Sequence, residues 1–273
     1  MATININLSV NLNALQGELQ RSLQKTIYLV SAGLQAKDQI NPDLLRLPTN
    51  SITMTFDSGL SWDADEAKKQ YSEWVLSNGF RDAIESVSTF LESAHQVLSY
   101  WEIGEKLKNS IEIRGSDWNE IVVSGMKKFH RLGLPDKLAH LEIYHGIEID
   151  PRCCEKILSI NVARNCLVHR GGTVTEKDTN TSNVLEVKWT KLLMFLMNED
   201  GEKELVLGQI VEKDSVLGIR NQEQTKVFAL GEQLKFSTEE FANIAWGLFL
   251  FGNDLVKKIS RAGKEKGFVN PVS

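Results

Sequence analysis

The sequence predicts a mainly α-helical fold, α+β overall, in which a small antiparallel β insertion precedes the C-terminal helix. Through several long segments, apolar residues recur every three or four positions, as on one face of an amphipathic helix. From about residue 173 to 233 the pattern changes to alternation, which is typical of half-buried strands. The 273 residues are 42% hydrophobic and 25% charged, close to the average for folded globular proteins.

The N-terminal part, residues 1–62, combines extended and helical patterns. Residues 3–10 alternate like a short strand, and residues 12–36 carry an apolar helical stripe. The members of that stripe are Leu12, Leu15, Leu19, Leu23, Ile27 and Val30. Pro42 and Pro48 then interrupt the chain, and residues 51–56 after them are a short strand candidate.

A helical bundle is predicted over residues 63–172. Its first helix is expected to end at Asn78-Gly79, a common type of helix stop. The next helix carries the clearest core-facing stripe of the chain, about five turns long. That stripe consists of Ile84, Val87, Leu91, Ala94, Leu98 and Trp101. Shorter helices are predicted over residues 117–131 and 135–145.

The last helix of the bundle has clear signals at both ends. Asp150 is a favourable N-cap, and Pro151 suits the first helical position because its missing N–H would have no partner there. The helix is expected to run to about His169. Gly171-Gly172 then supplies the stop.

Residues 173–235 are predicted to form the β-rich insertion. Apolar and charged residues alternate from Leu185 to Trp189, as in a half-buried strand. The Asp-Gly pair ending at Gly201 separates two apolar runs and predicts a hairpin turn. A further strand is expected at residues 225–229.

The C-terminal segment, residues 236–273, is predicted to be a helix that packs on the bundle. Ser237 and Glu240 have the spacing of a capping box at its start. Apolar residues then line one face, namely Phe241, Ile244, Leu248, Gly252, Leu255 and Ile259.

Charge and cysteine content narrow the function classes. The formal net charge is −5, whereas sequence-blind binding of nucleic acid usually needs a strongly basic domain, so nucleic-acid contact must be local. Three cysteines without a CxxC pair, and an N-terminus without a basic-then-apolar signal, favour a reducing cytoplasm. The apolar stretches are too short to span a bilayer, so no membrane association is expected.

We expect neither a metal nor another cofactor. Cys153 and Cys154 point to different faces of their helix, so they and Cys166 are interpreted as structural thiols rather than zinc ligands. His140 and His145 are five residues apart near Glu142, whereas a metal site needs a tighter set of ligands. The sequence also lacks a phosphate-binding glycine-rich loop.

The most informative feature is a group of polar residues on the helix that ends at His169. Residues 157–168 are mostly apolar or small, as in a helix packed on most sides. Asn161, Asn165 and His169 are four residues apart and form one line, which Arg164 borders. A guanidinium on so apolar a helix needs an anion or carbonyl oxygens around it.

These residue types suit chemistry on a phosphodiester. Arg164 can hold a phosphate with two parallel hydrogen bonds, and His169 can transfer a proton near neutral pH. Asn165 would orient either partner, and the 2′-hydroxyl of RNA would be the nucleophile without any metal. The candidate catalytic residues are therefore Arg164, Asn165 and His169. The candidate substrate-binding residues are Asn161, Arg170, Lys127 and Lys128.

Structural interpretations of the same residues remain open. A histidine before Gly-Gly often only caps the helix by bonding to its last carbonyls. Arg164 would then pair with a buried glutamate such as Glu155 or Glu142. Lys127 and Lys128 belong to the densest basic run, which either contacts RNA phosphates or is a solvated helix face.

The stretch Arg164-Asn165-Cys166-Leu167-Val168-His169, followed by an arginine and two glycines, resembles the signature of the HEPN superfamily. Its hallmark is an arginine, usually followed by a polar residue, and then a histidine after four to six intervening positions, near the end of a late helix. The resemblance is specific over about a dozen residues, and more loosely it covers the bundle from about residue 63 to 170. The β insertion and the long N-terminal part do not belong to the minimal domain.

The resemblance implies a helical bundle that commonly dimerises and brings two motifs into one cleft. Many members are metal-independent endoribonucleases of toxin–antitoxin, phage-defence and RNA-processing systems, and others bind nucleotides or act as interaction modules without catalysis. We therefore expect a cytoplasmic homodimer that binds or cleaves RNA in a defence or stress system, with an antitoxin or regulatory protein as a further partner. The alternative is a non-catalytic nucleotide-binding or protein-interaction module.

Overall fold

The computed structural model describes residues 11–40, 46–48, 53–55, 62–108, 119–199, 201–205, 208 and 215–269. The α-helices within them are α1 (Leu12–Ala36), α2 (Ala64–Lys108), α3 (Gly125–His130), α4 (Leu134–His145), α5 (Pro151–His169) and α6 (Thr238–Glu265). A 3-10 helix (Lys37–Gln39) follows α1, and a π-helical segment (Asn119–Ser124) precedes α3. The strands are β1 (Arg46–Pro48), β2 (Thr53–Thr55), β3 (Val184–Asn198), β4 (Gly201–Glu204) and β5 (Val216–Ala229). The mainly α fold with a small antiparallel sheet before the last helix is confirmed.

Helix α2 runs unbroken through the position where the sequence predicted a stop. The 45-residue helix is about 67 Å long at 1.5 Å per residue. Asn78 stays in the helix and donates to the carbonyl oxygen of Trp74 at 2.8 Å. A Cβ added at Gly79 would overlap Cγ2 of Val30. The predicted stop is wrong because this glycine allows α1 to approach α2 closely and does not end the helix.

The core forms where α1, α2 and α6 pack on one another, and it continues to α5 and β3. All six residues of the predicted stripe between Ile84 and Trp101 are buried. The stripe of α1 is buried at Leu15, Leu19, Leu23 and Val30, whereas Ile27 is exposed, contrary to the prediction. At the start of α6 the predicted capping box is present, since Ser237 and Glu240 each accept the other's backbone N–H.

The three-stranded sheet has the order β4-β3-β5, and every pairing in it is antiparallel. Asn198 pairs with Gly201 across the tight turn, so the predicted hairpin is confirmed. Strand β5 pairs with β3 from Val216 to Ala229 and is longer than the predicted segment 225–229. The inner residues of β3 are buried against α5 and α6, which fixes the sheet to the helices.

Other predictions are confirmed in part or lie outside the described residues. The predicted helix at 135–145 is α4, and the described part of 117–131 is the π-helical segment followed by α3. Residues 53–55 pair with 46–48 as an antiparallel ladder, whereas the segment 3–10 lies outside the described residues. The boundaries after residues 62, 172 and 235 stay predictions. None of the described helices has the length and apolarity needed to cross a bilayer.

Candidate functional site

The start of α5 is fixed by the cap that the sequence predicted. The Asp150 carboxylate accepts the backbone N–H of Arg152 at 2.8 Å and that of Cys153 at 3.2 Å. These two bonds lower the pKa of Asp150, and the bond from Cys153 has the larger effect. Pro151 is the first helical residue. The inner face of α5 then buries Ile157, Ile160, Ala163 and Cys166.

The end of α5 is as sharp as its start. The backbone N–H groups of Arg170 and Gly172 both donate to the carbonyl oxygen of Cys166, at 3.0 and 3.1 Å. Gly171 and Gly172 have φ values of +59° and +81°, a conformation that favours glycine. The predicted stop is therefore confirmed, and His169 is the last residue of the helix.

Arg164 is held from two sides. Its Nη1 donates to Oδ1 of Asn165 at 3.0 Å, and its Nη2 forms an ion pair with Glu85 of α2. The Arg164 side chain is 19% exposed and that of Glu85 is 54% exposed. The guanidinium thus lies at the edge of the α2–α5 contact with its orientation fixed. The expected pairing with a buried Glu142 or Glu155 is wrong.

His169 differs from Arg164 in being exposed. Within the described part of the chain, its imidazole makes no hydrogen bond, ion pair or ring contact. Asn165 and Asn161 are half-buried one and two turns before it, respectively. The structure therefore combines a fixed arginine with an exposed, unpartnered histidine five residues later.

Arg170 is engaged in a different contact. It forms a two-pronged ion pair with Asp178, whose side chain has no exposed surface. Asp178 also accepts the backbone N–H and the hydroxyl of Thr175, at 2.9 and 2.8 Å. Burial opposes ionisation of Asp178, but the bonds from Arg170 and Thr175 outweigh it and lower the pKa of this carboxyl. Arg170 therefore anchors the loop after α5, and its binding of substrate stays a prediction.

Lys127 and Lys128 are exposed on α3, which packs on α2. No contact in the described part of the chain joins either lysine to Arg164. Lys128 lines a groove of about 480 Å³ together with His95, His140 and His145. The structure thus places Lys128 with three histidines that sequence reasoning did not assign to any site.

A polar stripe on α2 runs from the Arg164 contact to the groove that is lined by the histidines. Glu85, Ser88, Glu92, His95 and Ser99 recur at intervals of three and four residues, so they share one face of the helix. Of these, Glu85 contacts Arg164, whereas His95 and Ser99 line the groove. Glu85 and His95 are ten residues apart, which is about 15 Å along a helix, so the Arg164 contact and the groove are separate sites.

The middle of the stripe holds a buried lysine. Lys137 of α4 is 2% exposed, and its Nζ donates to Oε1 of Glu92 at 2.5 Å and to Oγ of Ser88 at 2.7 Å. His130 also contacts Glu92, with 2.9 Å between Nδ1 and Oε2. Burial raises the pKa of Glu92, but the bonds from Lys137 and His130 outweigh it, and the net direction is down.

Three histidines converge at the end of the stripe. Nδ1 of His95 lies 2.8 Å from Nε2 of His145, and the ring centroid of His140 is 5.0 Å from that of His95. Burial first, and then neighbouring imidazoles, lower the pKa of His95 to about 4 and that of His145 to about 3. Burial also lowers the pKa of His140.

The sequence contained one signal for this cluster. His95 follows Leu91 by four positions and precedes Leu98 by three, so it lies on the buried face of α2, where a polar side chain needs a partner. Without this third member, the spacing of His140 and His145 predicts no metal site. Because His145 is the last residue of α4, its five-residue distance from His140 does not keep the two rings apart.

The cysteines behave as the sequence suggested. Cys166 is buried, and Cys153 and Cys154 are half-buried free thiols. Burial raises the pKa of all three, that of Cys166 to about 11. A thiol with a raised pKa is a poor nucleophile at neutral pH, so these cysteines are not candidates for catalysis.

A larger cleft of about 700 Å³ lies at the opposite end of α5, between that helix, the sheet and α6. Its wall carries both signs of charge, from Arg152, Lys156 and Lys258 and from Asp150, Glu223 and Asp254. None of the sequence-predicted site residues lines this cleft. Comparison of the chain with known protein families, with curated proteins and with solved structures gives no match.

Proposed function

We propose that this chain is a HEPN-like RNA-binding protein that cleaves RNA without a metal at the end of α5. The observation that carries the proposal is the imidazole of His169, which is exposed and has no partner among the described residues, five residues after the oriented guanidinium of Arg164. Five residues correspond to about 7.5 Å along the helix axis, a distance that one nucleotide can bridge. Arg164 holds the phosphate and His169 transfers the proton.

Arg164 retains donors for a substrate. A guanidinium has five N–H groups, of which Asn165 and Glu85 engage one on each terminal nitrogen. One N–H of Nη1 and one of Nη2 therefore remain available to a phosphate. Glu85 and Asn165 therefore act as positioning residues that hold the guanidinium plane.

The chemistry uses the nucleophile that RNA carries. Neutral His169 removes the proton of the 2′-hydroxyl, and the 2′-oxygen attacks the adjacent phosphorus. The P–O bond to the 5′-oxygen breaks, and this leaving oxygen takes a proton from an imidazolium or from water. The products are a 2′,3′-cyclic phosphate and a 5′-hydroxyl. In a homodimer, His169 of a second copy would supply the imidazolium.

One observation favours the alternative, a non-catalytic nucleotide-binding or protein-interaction module. Glu85 already neutralises Arg164, and its carboxylate would repel an incoming phosphate. In that case the motif fixes the α2–α5 contact, and an antitoxin or regulatory protein would contact the same surface. The two functions differ in whether RNA is cleaved.

The deciding experiment is cleavage of a mixed RNA pool by the purified chain in EDTA. His169→Gln is expected to lower the rate by about 10²–10⁴-fold, the usual contribution of a general base. Arg164→Lys, which keeps the charge but loses the two-pronged geometry, is expected to lower it as well. The matched controls are the exposed His130→Gln and Arg21→Lys, which should cleave like the wild type.

Two results would exclude the enzyme. Either the wild type leaves every RNA intact, or His169→Gln cleaves as fast as His130→Gln. RNA binding, measured by fluorescence anisotropy on the same variants, then separates a binding module from a purely structural helix end. A structural role predicts that His169→Gln changes only the thermal midpoint.

A further inference from the structure

We propose that His95, His140 and His145 form a binding site for a divalent transition metal, with zinc as the best fit. This site lies in the groove between α2, α3 and α4 and is independent of the proposed RNA chemistry. Its fourth coordination position faces the groove.

The geometry is close to that of a three-histidine site. One ring nitrogen from each histidine lies within 4.8 Å of the other two, and Nδ1 of His95 is 2.8 Å from Nε2 of His145. In a tetrahedral zinc site with Zn–N bonds of about 2.1 Å, ligand nitrogens lie about 3.4 Å apart. Small adjustments of the three rings would therefore reach coordination distances.

The ligand atoms that the cluster offers are imidazole nitrogens, and their uncharged form can bind a metal. His95 is buried and His140 and His145 are half-buried, and burial favours the uncharged imidazole, the form that offers a lone pair. Imidazole is a good ligand for zinc, copper, iron and nickel, but calcium and magnesium prefer oxygen. The cluster therefore selects a transition metal.

The cluster is costly without a ligand. His95 is 4% exposed, and its Nε2 is buried without a hydrogen-bond partner among the described residues. A neutral imidazole has one donor and one acceptor nitrogen, and Nε2 of His95 has no described partner of good geometry, although the Gly125 backbone lies close enough to raise the pKa of the ring slightly against the effect of burial. A metal ion bound to the cluster would contribute free energy that offsets this cost.

The groove provides access and a place for a fourth ligand. His140 and His145 are half-buried at its wall, and the volume of about 480 Å³ admits water or a small anion. Four charged side chains also line it, namely Glu102, Lys106, Glu120 and Lys128. A site with three protein ligands and one open position has the form of catalytic zinc centres rather than that of closed structural ones.

The test is calorimetric titration of the full chain with ZnCl₂ after treatment with EDTA and dialysis. We expect one zinc per chain, and a higher thermal midpoint with zinc because the ion binds only the folded state. His140→Gln and His145→Gln are expected to weaken binding by more than about tenfold. Their thermal midpoints in EDTA show whether these variants fold. His130→Gln, which changes an exposed histidine outside the cluster, should bind like the wild type.

Zinc binding by the neighbouring cysteines Cys153 and Cys154 is the alternative source of a calorimetric signal. The proposal requires that Cys153→Ser with Cys154→Ser leaves zinc binding unchanged. It is overturned if no saturable binding occurs, or if folded His140→Gln binds zinc as the wild type does. RNA cleavage in EDTA is unaffected by either outcome, so the two proposals fail separately.

Discussion

The ion pair between Arg170 and Asp178 predicts a large loss of stability when the Asp178 carboxylate is removed. In Asp178→Asn the amide keeps one oxygen for Thr175, but it presents an N–H₂ group to a guanidinium that is itself only a donor. The variant therefore loses the ion pair, and it leaves the amide N–H₂ group facing the guanidinium of Arg170, donor against donor, in a buried position. The loop after α5 is expected to loosen as a result.

The structure sets the size of the effect. The carboxylate accepts four hydrogen bonds, two from Arg170 and two from Thr175, and its side chain has no exposed surface. Breaking a buried pair by removing one partner costs about 3–5 kcal/mol. Because Arg170 is 22% exposed and water can reach part of it, we expect the lower end, about 3 kcal/mol. For a chain of this size that lowers the thermal midpoint by about 6–12 °C.

The same pair predicts a pH dependence. The pKa of Asp178 is lower in the folded chain than its ordinary value of 3.8, so the folded state favours the ionised form. Its contribution to stability is fully present above the unfolded pKa. It is lost as the pH falls through the lower folded pKa. Asp178→Asn should lack this part of the acid-induced destabilisation.

Thermal and urea unfolding of Asp178→Asn at pH 7 and in mild acid measure both effects. The matched control is Glu176→Gln, the same kind of change at an exposed residue, for which a change within about 0.5 kcal/mol is expected. If the two variants unfold alike at pH 7, the ion pair contributes nothing, and the account of this loop is wrong.

Two further predictions concern helix packing and the buried charge. Gly79→Ala places a methyl group against Val30 and should lower the free energy of unfolding by about 1–3 kcal/mol. Urea unfolding measures this loss. A gain in stability would show that Gly79 does not limit the approach of α1. Lys137→Met removes the cation bonded to Glu92 and Ser88 and should cost about 3 kcal/mol. Restored stability in the double variant with Glu92→Gln would identify the unpaired carboxylate as the cause, whereas additive losses would exclude it.

The sequence predicted helix positions well because each core stripe follows from the 3.6-residue period. It also located the two ends of α5, since Asp150-Pro151 and Gly171-Gly172 act through local backbone chemistry. Gly79 was misjudged because a stop and a close helix contact require the same residue type. Only the neighbouring Val30, 49 positions earlier in the sequence, distinguishes them.

The sequence could not predict the partners of the buried polar groups, because these partners are also distant in the sequence. Local spacing suggested Glu142 or Glu155 for Arg164, but the partner, Glu85, lies 79 residues away. Likewise His95 and His145 are 50 residues apart. Periodicity identifies which face of a helix is buried. It contains no information on which helix covers that face, so pairs between helices require the fold.

The polar stripe of α2 shows what these pairs do for the fold. Glu85 is matched by Arg164 of α5, and Glu92 and His95 are matched by Lys137 and His145 of α4. Apolar contacts alone tolerate sliding, because most apolar side chains fit one another approximately. A shift of α4 or α5 by one turn, about 5.4 Å, would leave a charged or polar group at the α2 interface without its partner. The stripe therefore fixes the positions of both helices along α2, and with them the motif at the end of α5 and the histidines at the groove.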